Sequence, residues 1–314
     1  MSIQHIGGTV IDLESFSDTA SENSPWKSTD AYNEQYSRNR PLINRSMQQR
    51  LRDGLVLVAG CGSTGGAAVE PLVRLGVSRI RLCEPGSFEL SNLNRQSATR
   101  ADLNSNKADV LRRRAVSINP DIACDVNTEG ITSHNVYEML RGVHVILDGV
   151  DVTTMEGWRA KYYLHEAASR LGIPVVVGYD MAGVQYIRTY QYRPGDRPFT
   201  GAITLEDLRK ESHWALLRQV IPLKAMPVDL LKSLPAIDQE DGFPQLAYTA
   251  LLFGAAASRI VLCLLCGQSV AKDVVLDLHT DVMPSGARRL TRFLAPLRKA
   301  RLLARAARTL IPTS

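Results

Sequence analysis

The sequence has few cysteines and no long uninterrupted apolar segment. Its five cysteines in 314 residues are scattered, which excludes a disulfide-stapled small protein and favours a reduced, cytoplasmic compartment. The longest apolar stretch, residues 246–267, contains Arg259 and small residues, so it predicts a buried helix and no membrane span. The N-terminal residues lack the basic start and apolar run of a secretory signal. With 45% hydrophobic and 22% charged residues, the composition predicts a globular protein and excludes a disordered or collagen-like chain.

Residues 285–314 contain no acidic side chain. They carry eight lysines and arginines, whereas the whole chain has a formal net charge of +5, so the preceding residues are slightly acidic. Apolar residues recur at mostly helical spacing over residues 290–311, with basic residues between them and an interruption at Pro296. This tail can be a helix packed on the body or across a dimer, a clamp for an acidic peptide, or a contact to RNA or a membrane. We favour packing, because an apolar stripe costs about 25 cal/mol per Å² when water covers it.

Apolar segments and amphipathic helical segments alternate along the middle of the chain. Short apolar runs predict buried strands at residues 55–59, 79–83, 143–147 and 174–177. Helical spacing of apolar residues predicts helices at about residues 65–75, 107–118 and 158–171. Because strands that alternate with helices build a parallel sheet, we predict an α/β protein with a Rossmann-like, doubly wound, mostly parallel sheet. Residues 184–192 alternate in polarity, which predicts an exposed antiparallel strand that extends the sheet.

We divide the chain into four segments. Residues 1–30 are a polar N-terminal arm, and residues 31–183 are the nucleotide-binding domain. Residues 184–284 complete the same domain with the antiparallel strand, an irregular crossover or substrate region and the core helix. Residues 285–314 are the basic amphipathic tail, which we expect to be helical. Near the start of the domain, Pro41 predicts the beginning of a helix rather than its middle.

A glycine-rich turn with Gly60, Gly62 and Gly65 follows the first predicted strand. Glycine is needed where a chain turns sharply and where backbone approaches a phosphate, and the helix start that follows offers unpaired N–H groups. Glu84, at the end of the second strand, is the acid expected to bind the ribose hydroxyls of a nucleotide. These features predict a nucleotide site, and they leave open a nicotinamide or flavin enzyme or a tight turn without a ligand.

A dense cluster of amide and arginine side chains follows soon after the second strand. Residues 91–96 read SNLNRQ and supply Asn92, Asn94, Arg95 and Gln96. At an ATP site that cleaves between the α- and β-phosphates, Arg95 can neutralise charge on the leaving pyrophosphate, and the amides can hydrogen-bond phosphate oxygens. A dinucleotide oxidoreductase has no use for this cluster, so the segment favours adenylation.

The order of these motifs resembles the E1-like adenylating superfamily, of ThiF, MoeB and HesA type. That family has a glycine-rich turn, an acid, an sNLnRQ segment, a lysine and an aspartate in this order, and the resemblance covers about half of the chain. It implies ATP and Mg²⁺ as cofactors, with Lys107 on the phosphates, Asp151 on Mg²⁺ and Asp148 as its helper. It also implies a homodimer in which Arg38, or alternatively Arg40, reaches the γ-phosphate bound by the partner.

Two family features are missing. A structural zinc in this family uses two CxxC pairs, whereas Cys263 and Cys266 form a single pair inside an apolar segment, so we expect core residues and no structural zinc. Members that form a thioester carry a cysteine where this chain has residues 195–201, which contain none. The resemblance therefore favours the peptide-maturing branch, of microcin and pantocin type, over the sulfur-carrier activators.

The resemblance implies that ATP activates a carboxylate to an acyl-adenylate with release of pyrophosphate. In the favoured branch that carboxylate belongs to the ribosomally made precursor of a peptide natural product such as an antibiotic. A precursor peptide or small protein is the expected partner, and nucleic acid is a less favoured one.

Three alternatives for the function remain. The chain can activate a ubiquitin-like sulfur carrier, or it can modify tRNA, which the basic tail suggests because phosphate contacts dominate nucleic-acid affinity. It can also be an ATP-binding pseudo-enzyme without turnover. The site residues have ordinary alternatives too: a solvated helix-start lysine for Lys107, a basic helix face for the two arginines, and loop caps for Asp148 and Asp151.

Overall fold

In the computed structural model, which describes residues 31–233 and 244–309, one mixed sheet forms the centre of the protein. Its strands are β1 (Leu55–Ala59), β2 (Arg79–Cys83), β3 (Ala123–Asn127), β4 (Val145–Asp148), β5 (Val175–Met181), β6 (Val184–Tyr190) and β7 (Asp273–Asp277). The spatial order is β3-β2-β1-β4-β5-β6-β7. Strands β1 to β5 are parallel, and the pairs β5–β6 and β6–β7 are antiparallel. The predicted α/β fold is confirmed, while the predicted arm, residues 1–30, lies outside the described residues.

Helices lie before, between and after these strands. They are α1 (Ala31–Gln35), α2 (Arg45–Asp53), α3 (Ser63–Leu75), α4 (Lys107–Ile118), α5 (Val136–Met139), α6 (Met155–Leu171), α7 (Asp207–Lys210), α8 (His213–Val220), α9 (Val228–Ser233), α10 (Ala247–Leu265), α11 (Leu278–Asp281) and α12 (Ser285–Thr309). The predicted helix start at Pro41 is wrong. Helix α2 begins at Arg45, because the Asn44 side chain accepts a hydrogen bond from the backbone N–H of Met47 and caps the helix there.

Two central strands bring the functional segments to one edge of the sheet. All five residues of β1, LVLVA, are buried, as expected for a strand with helices on both faces. Strand β4 pairs with β1 in parallel up to Ala59 and Asp148. The glycine-rich turn after β1 and the segment 148–151 after β4 therefore begin side by side.

The antiparallel extension differs from its prediction in length and burial. Strand β5 continues to Met181 instead of ending at residue 177, because it pairs with β6 along its whole length. Six of the seven residues of β6 are buried, so its predicted exposure is wrong. Tyr186 faces the core that contains α6, and Ile187 faces the core that contains α3 and α10. The alternating polarity was misleading because Gln185 is also fully buried.

Helix α10 is the long apolar helix predicted from residues 246–267. Among the described residues it alone is long and apolar enough to cross a membrane. It packs against α3 instead, and Gly254 permits a close approach, because a Cβ at that position would lie 2.3 Å from the Ala67 carbonyl oxygen. Phe253 of α10 is fully buried. These contacts make α10 part of the core next to α3, the helix that follows the glycine-rich turn.

Residues 285–309 of the basic tail form one helix, α12, that continues through Pro296. It contacts α9 and α11, and the Arg292 guanidinium pairs with Asp281 at 2.5 Å. Packing on the body is therefore found, but it does not cover the whole apolar stripe. Leu290, Phe293 and Leu297 are 57%, 81% and 51% exposed. The helix presents an exposed apolar strip together with its cationic side chains.

Candidate nucleotide site

The glycine-rich turn connects the end of β1 to the start of α3. Gly60 has a φ of +81°, and a Cβ there would lie 2.3 Å from the Gly149 carbonyl oxygen. A Cβ at Gly65 would lie 1.9 Å from the Gly60 carbonyl oxygen, so both positions require glycine for packing. Gly62 differs, because within 4 Å of its Cβ position the described residues place only Gln96 Nε2, at 3.8 Å. Gly62 thus leaves room for a ligand beside the turn.

The start of α3 is suited to an anion. The first intrahelical hydrogen bond of its N-terminal turn runs from Gly66 N–H to the Gly62 carbonyl, so the earlier N–H groups have no helical acceptor. The helix dipole places partial positive charge at the same end. A phosphate in the space at Gly62 would meet both the N–H groups and this charge.

Glu84 joins the second strand to the turn. One carboxylate oxygen accepts a 2.6 Å hydrogen bond from Cys61 N–H, and the other accepts a 2.7 Å hydrogen bond from Gly86 N–H. The side chain is half-buried, and each oxygen keeps a further lone pair. Burial and the charge of Glu84 raise the pKa of the Cys61 thiol well above its ordinary value, so Cys61 is a protonated packing residue of the turn.

The SNLNRQ segment forms a 3-10 turn that holds Arg95. The Arg95 guanidinium donates from Nη1 to the Ser91 carbonyl at 3.0 Å and to Asn94 Oδ1 at 2.7 Å. Asn94 also donates to the Gln245 carbonyl, before α10. Asn92 is buried, and its Oδ1 accepts from the backbone N–H of Glu89 in a capping box. In these contacts the two asparagines fix the turn that presents Arg95.

Asp180, near the end of β5, is a site residue that the sequence analysis missed. It is 7% exposed, and its Oδ2 accepts a 2.5 Å hydrogen bond from the hydroxyl of Ser63, the first residue of α3. Burial raises the pKa of Asp180 to about 6, although the Ser63 hydrogen bond and the charge of Arg95 lower it. The sequence feature that could have revealed Asp180 is an acidic residue in a largely apolar strand. That strand is parallel to β4 and β1, so it ends on the same side of the sheet as the glycine-rich turn.

Three buried polar atoms beside the start of α3 have no hydrogen-bond partner among the described residues. They are Arg95 Nε, Gln96 Oε1 and Asp180 Oδ1. An unsatisfied buried polar group costs about 1–3 kcal/mol, so such a cluster favours a polar ligand. ATP fits this place, because its phosphate oxygens can accept from Arg95 and from the N–H groups of α3.

Lys107 is the first residue of α4. Its backbone N–H donates to the Gly86 carbonyl at 3.0 Å, which fixes the helix start next to the segment after β2. The ammonium lies 5.9 Å from the centre of the Phe88 ring. Lys107 also acts on Cys61 of the glycine-rich turn, where its charge lowers the thiol pKa against the larger effect of burial. The structure therefore places Lys107 near the turn.

Asp148, the predicted Mg²⁺ helper, is fully buried at the end of β4. Its Oδ2 contacts Lys161 Nζ at 2.6 Å and His165 Nε2 at 2.9 Å, and its Oδ1 accepts from Val150 N–H at 3.0 Å. Burial would raise the pKa of Asp148, but the charge of Lys161 and the His165 hydrogen bond lower it below its ordinary value. Both oxygens have partners within the protein, and the role of Asp148 as a helper at Mg²⁺ stays a prediction.

A hydrogen-bond chain continues from Asp148 to the loop after β6. Burial lowers the pKa of His165, so the ring is neutral at pH 7. It donates from Nε2 to Asp148, and its Nδ1 accepts from the Tyr192 hydroxyl at 2.7 Å. The Tyr192 oxygen accepts from Phe199 N–H at 2.8 Å, where Phe199 and Thr200 have φ of 53° and 56°. The chain fixes a left-handed backbone segment.

Asp151 lies beyond Asp148 and is exposed. Its Oδ1 accepts from the N–H and the hydroxyl of Thr153, at 2.8 and 2.9 Å. Over the described residues there is no cluster of three or more His, Cys, Asp or Glu side chains that could hold a metal ion. One exposed carboxylate still fits Mg²⁺, which usually takes one or two carboxylates together with phosphate oxygens. Of the cysteine pair, Cys263 is buried in α10 and Cys266 ends that helix.

The two N-terminal arginines lie away from the turn of the same chain. Arg38 is exposed in a 3-10 turn, and Arg40 donates to the Asn33 carbonyl at 2.9 Å. The neighbouring Tyr36 hydroxyl donates to the carbonyl of Val73, in the last turn of α3. Because α3 rises about 1.5 Å per residue, this end lies about 18 Å from the start of the helix at the glycine-rich turn.

Comparison with known proteins identifies the family of this chain. Residues 36–267 match the model of the ThiF family. The sulfur carrier protein ThiS adenylyltransferase of Bacillus subtilis is 30% identical over 159 residues, 50% of this chain and 45% of that protein. The sulfur carrier protein adenylyltransferase of Thermus thermophilus is 32% identical over 139 residues, 44% of this chain and 49% of that protein. The matches span about half the length of these relatives.

Solved structures share the fold. The E. coli tRNA N6-threonylcarbamoyladenosine dehydratase in complex with ATP has a TM-score of 0.56 at 21% identity, over 76% of this chain and 96% of that one. E. coli MccB with MccA and AMPCPP has a TM-score of 0.52 at 16% identity, over 78% of this chain and 66% of that one. Since the family model matches well over half of the sequence, and its residues include the turn, the SNLNRQ segment and Asp151, this chain belongs to the ThiF family.

Proposed function

We propose that this protein uses ATP to adenylate a carboxylate. The observation that carries the proposal is the cluster at the start of α3: the space at Gly62, the first N–H groups of the helix, which have no helical acceptor, and Arg95, whose Nε has no partner among the described residues. The names of the sequence relatives, which are adenylyltransferases, support the same reaction class. Glu84 lies where a nucleotide ribose is bound in related sheets.

The reaction needs no attacking side chain. A carboxylate oxygen of the substrate attacks the α-phosphorus of ATP, the bond from that phosphorus to the bridging oxygen breaks, and pyrophosphate leaves with the electron pair. Arg95, Lys107 and the start of α3 stabilise the charge that develops on the phosphates. Asp151 would hold Mg²⁺, which neutralises phosphate charge when bound. Asn92 and Asn94 position Arg95, and Asp148 positions the loop that ends in Asp151.

The test is ATP–pyrophosphate exchange together with AMP release. We expect ATP to bind to the full chain, and labelled pyrophosphate to enter ATP only in the presence of a carboxylate substrate. Peptides encoded beside the gene are the first candidates for that substrate. ATP binding without exchange or AMP release with any carboxylate would identify an ATP-binding pseudo-enzyme instead.

We propose a peptide as the substrate of this reaction. Residues 195–201 supply no cysteine for a thioester, so the adenylate itself is the species passed to the next step. The exposed strip of α12, with Leu290, Phe293 and Leu297 beside arginines, offers apolar and cationic contacts to an acidic peptide.

The same helix favours a second candidate, adenylation of a modified nucleoside in tRNA. Its exposed arginines Arg289, Arg298 and Arg301 could contact phosphates. RNA that co-purifies with the protein and dissociates as salt rises would support this candidate. Peptide-dependent exchange without RNA retention would support the peptide substrate.

Removal of residues 286–314 is expected to lower the melting temperature and to weaken binding of the peptide that supports exchange. The first effect follows from lost packing on α9 and α11, and the second from lost cationic contacts, so only the second should fade as salt rises. The matched variant Arg289→Gln/Arg298→Gln/Arg301→Gln should keep the melting temperature and lose the salt-dependent part of binding. Unchanged melting and unchanged, salt-independent affinity after truncation would contradict both roles.

We further propose a homodimer in which Arg38 completes the partner's site. Arg38 lies near the C-terminal end of α3, about 18 Å of helix away from the phosphate-binding turn of its own chain. An exposed arginine at that distance acts on a nucleotide only if another copy brings it there.

Mixing inactive Arg38→Ala chains with inactive Asp151→Ala chains is expected to restore AMP formation, because one of the two sites in a mixed dimer is then intact. Each variant alone is the control, and Arg40→Ala tests the neighbouring arginine. A mixed dimer that is demonstrated by tag-selective purification but stays inactive would contradict the shared site.

A further inference from the structure

We propose that Asp180 binds the phosphate of the nucleotide as a neutral carboxylic acid, so that nucleotide binding takes up one proton. The inference rests on the proposed ATP site and adds to it a residue whose charge state controls binding. It concerns ATP and AMP alone, so it is testable before the carboxylate substrate is known.

The surroundings of Asp180 attract anions. Ser63, which donates to Asp180 Oδ2 at 2.5 Å, is the first residue of α3 and follows Gly62, where the turn leaves room. The unpaired N–H groups and the positive dipole end of α3 lie at the same place. Arg95 is close enough to act on the carboxylate, and its Nε has no partner among the described residues.

An ionised Asp180 conflicts with an anion bound there. Two negative charges in a partly desolvated site repel each other. Either one of the two groups takes up a proton, or the phosphate binds weakly beside the carboxylate. Asp180 is more than nine-tenths buried, which already disfavours its charged form. The group most easily neutralised is therefore the carboxylate.

The two oxygens of Asp180 are arranged for such a switch. Oδ2 accepts from Ser63, whereas Oδ1 is buried and has no partner within the part of the chain that the structure describes. A proton on Oδ1 would convert this oxygen into a donor toward a phosphate oxygen, and the Ser63 hydrogen bond would persist. In the neutral form both oxygens of Asp180 have a hydrogen-bond partner. In the ionised form the negative charge of Oδ1 lies against the negative charge of the phosphate.

The neighbouring groups make this proton available near neutral pH. Burial raises the pKa of Asp180 to about 6, and the opposing effects come from Ser63 on α3 and Arg95 on the SNLNRQ segment. Across the sheet, its partner in β6 is the uncharged Gln185. A bound phosphate adds negative charge and raises the pKa further, so protonation and binding favour each other.

The experiment is calorimetric titration of ATP, and separately AMP, into the full-length protein from pH 5.5 to 8.5. We expect the wild-type Kd to rise about tenfold per pH unit above the transition of the free protein, relative to Asp180→Asn, whose affinity lacks this slope. The titration of the nucleotide's own phosphates is common to both proteins and cancels in the ratio. Repeating the titrations of both proteins in buffers of different ionisation enthalpy should show that wild type takes up about one proton more than Asp180→Asn at pH 7.5.

Two further variants sharpen the test. Ser63→Ala removes the hydrogen bond that lowers the pKa of Asp180, so its binding profile should shift to higher pH. Asp125→Asn changes a carboxylate with a side chain 68% exposed at the far side of the sheet and should keep the wild-type profile.

Each outcome decides the question. Wild type that binds ATP with the same pH slope and the same proton uptake as Asp180→Asn overturns the inference and leaves the adenylation proposal intact. If Asp180→Asn binds ATP more weakly at every pH, Asp180 acts as a carboxylate toward a cation, and the inference is also wrong. A wild-type protein that binds no ATP at any pH overturns both proposals.

Discussion

Replacing Arg95 by alanine is expected to reduce AMP formation by about 10²- to 10³-fold while the protein stays folded. The guanidinium is held in advance by Ser91 and Asn94, so the proposed contact to the phosphates needs no reorganisation. Asp151→Ala should cause a loss of similar size, because Asp151 is the exposed carboxylate proposed to hold Mg²⁺. The measurement is single-turnover AMP formation at saturating ATP.

The control for this prediction is Arg100→Ala, an exposed arginine five positions further along the chain. It should retain wild-type turnover and the same melting temperature. If Arg95→Ala or Asp151→Ala turns over within about threefold of wild type, the role assigned to that residue is wrong. Loss of a preorganised charge contact slows the reaction by about 10²- to 10³-fold.

Replacing Lys161 by methionine is expected to lower the free energy of unfolding by about 3–5 kcal/mol. The ammonium is 1% exposed and contacts Asp148 at 2.6 Å, so its removal leaves a carboxylate buried without its cation. In the wild-type protein His165 does not supply a second cation, because burial lowers its pKa. Urea unfolding followed by far-UV circular dichroism measures the change.

The double variant Lys161→Met/Asp148→Asn should recover most of this loss, because it removes both buried charges together. The exposed pair of Lys210 and Glu206 provides the matched control, and Lys210→Met should cost less than about 1 kcal/mol. A Lys161→Met protein as stable as this control would show that the buried ion pair contributes little to the fold.

The buried contacts that connect Lys161 to Phe199 through Asp148 give Asp148 and Asp151 different environments. The resemblance assigned Asp148 and Asp151 to one cofactor contact, yet the first is enclosed and the second is exposed. Sequence spacing places both carboxylates at or just after the end of β4. It does not indicate which of them contacts Lys161 of α6. The partner lies on another element, and only packing brings the two together.

The central strands, their parallel arrangement and the position of the glycine-rich turn followed from the sequence alone, whereas the spatial order of the strands came from the structure. Continuous apolar runs such as LVLVA are typical of strands that are buried on both faces in a parallel sheet, and the turn glycines mark where backbones approach. The edge strands β3 and β7 were missed because their residues are polar or half-buried. Strand β6 was predicted as exposed because its alternating sequence conceals that Gln185 is inside.

The sequence by itself determined the fold class, the phosphate turn and the presence of Arg95, Lys107 and Asp151, because local motifs and periodicity report on these. Only the tertiary structure decided which polar groups face each other at the start of α3. Asp180 is 117 residues from Ser63 along the chain, and its hydrogen bond to that residue depends on β5 and α3 meeting in the fold. Burial shifts the charge state of Asp180, and burial arises from packing rather than from neighbouring residues in sequence.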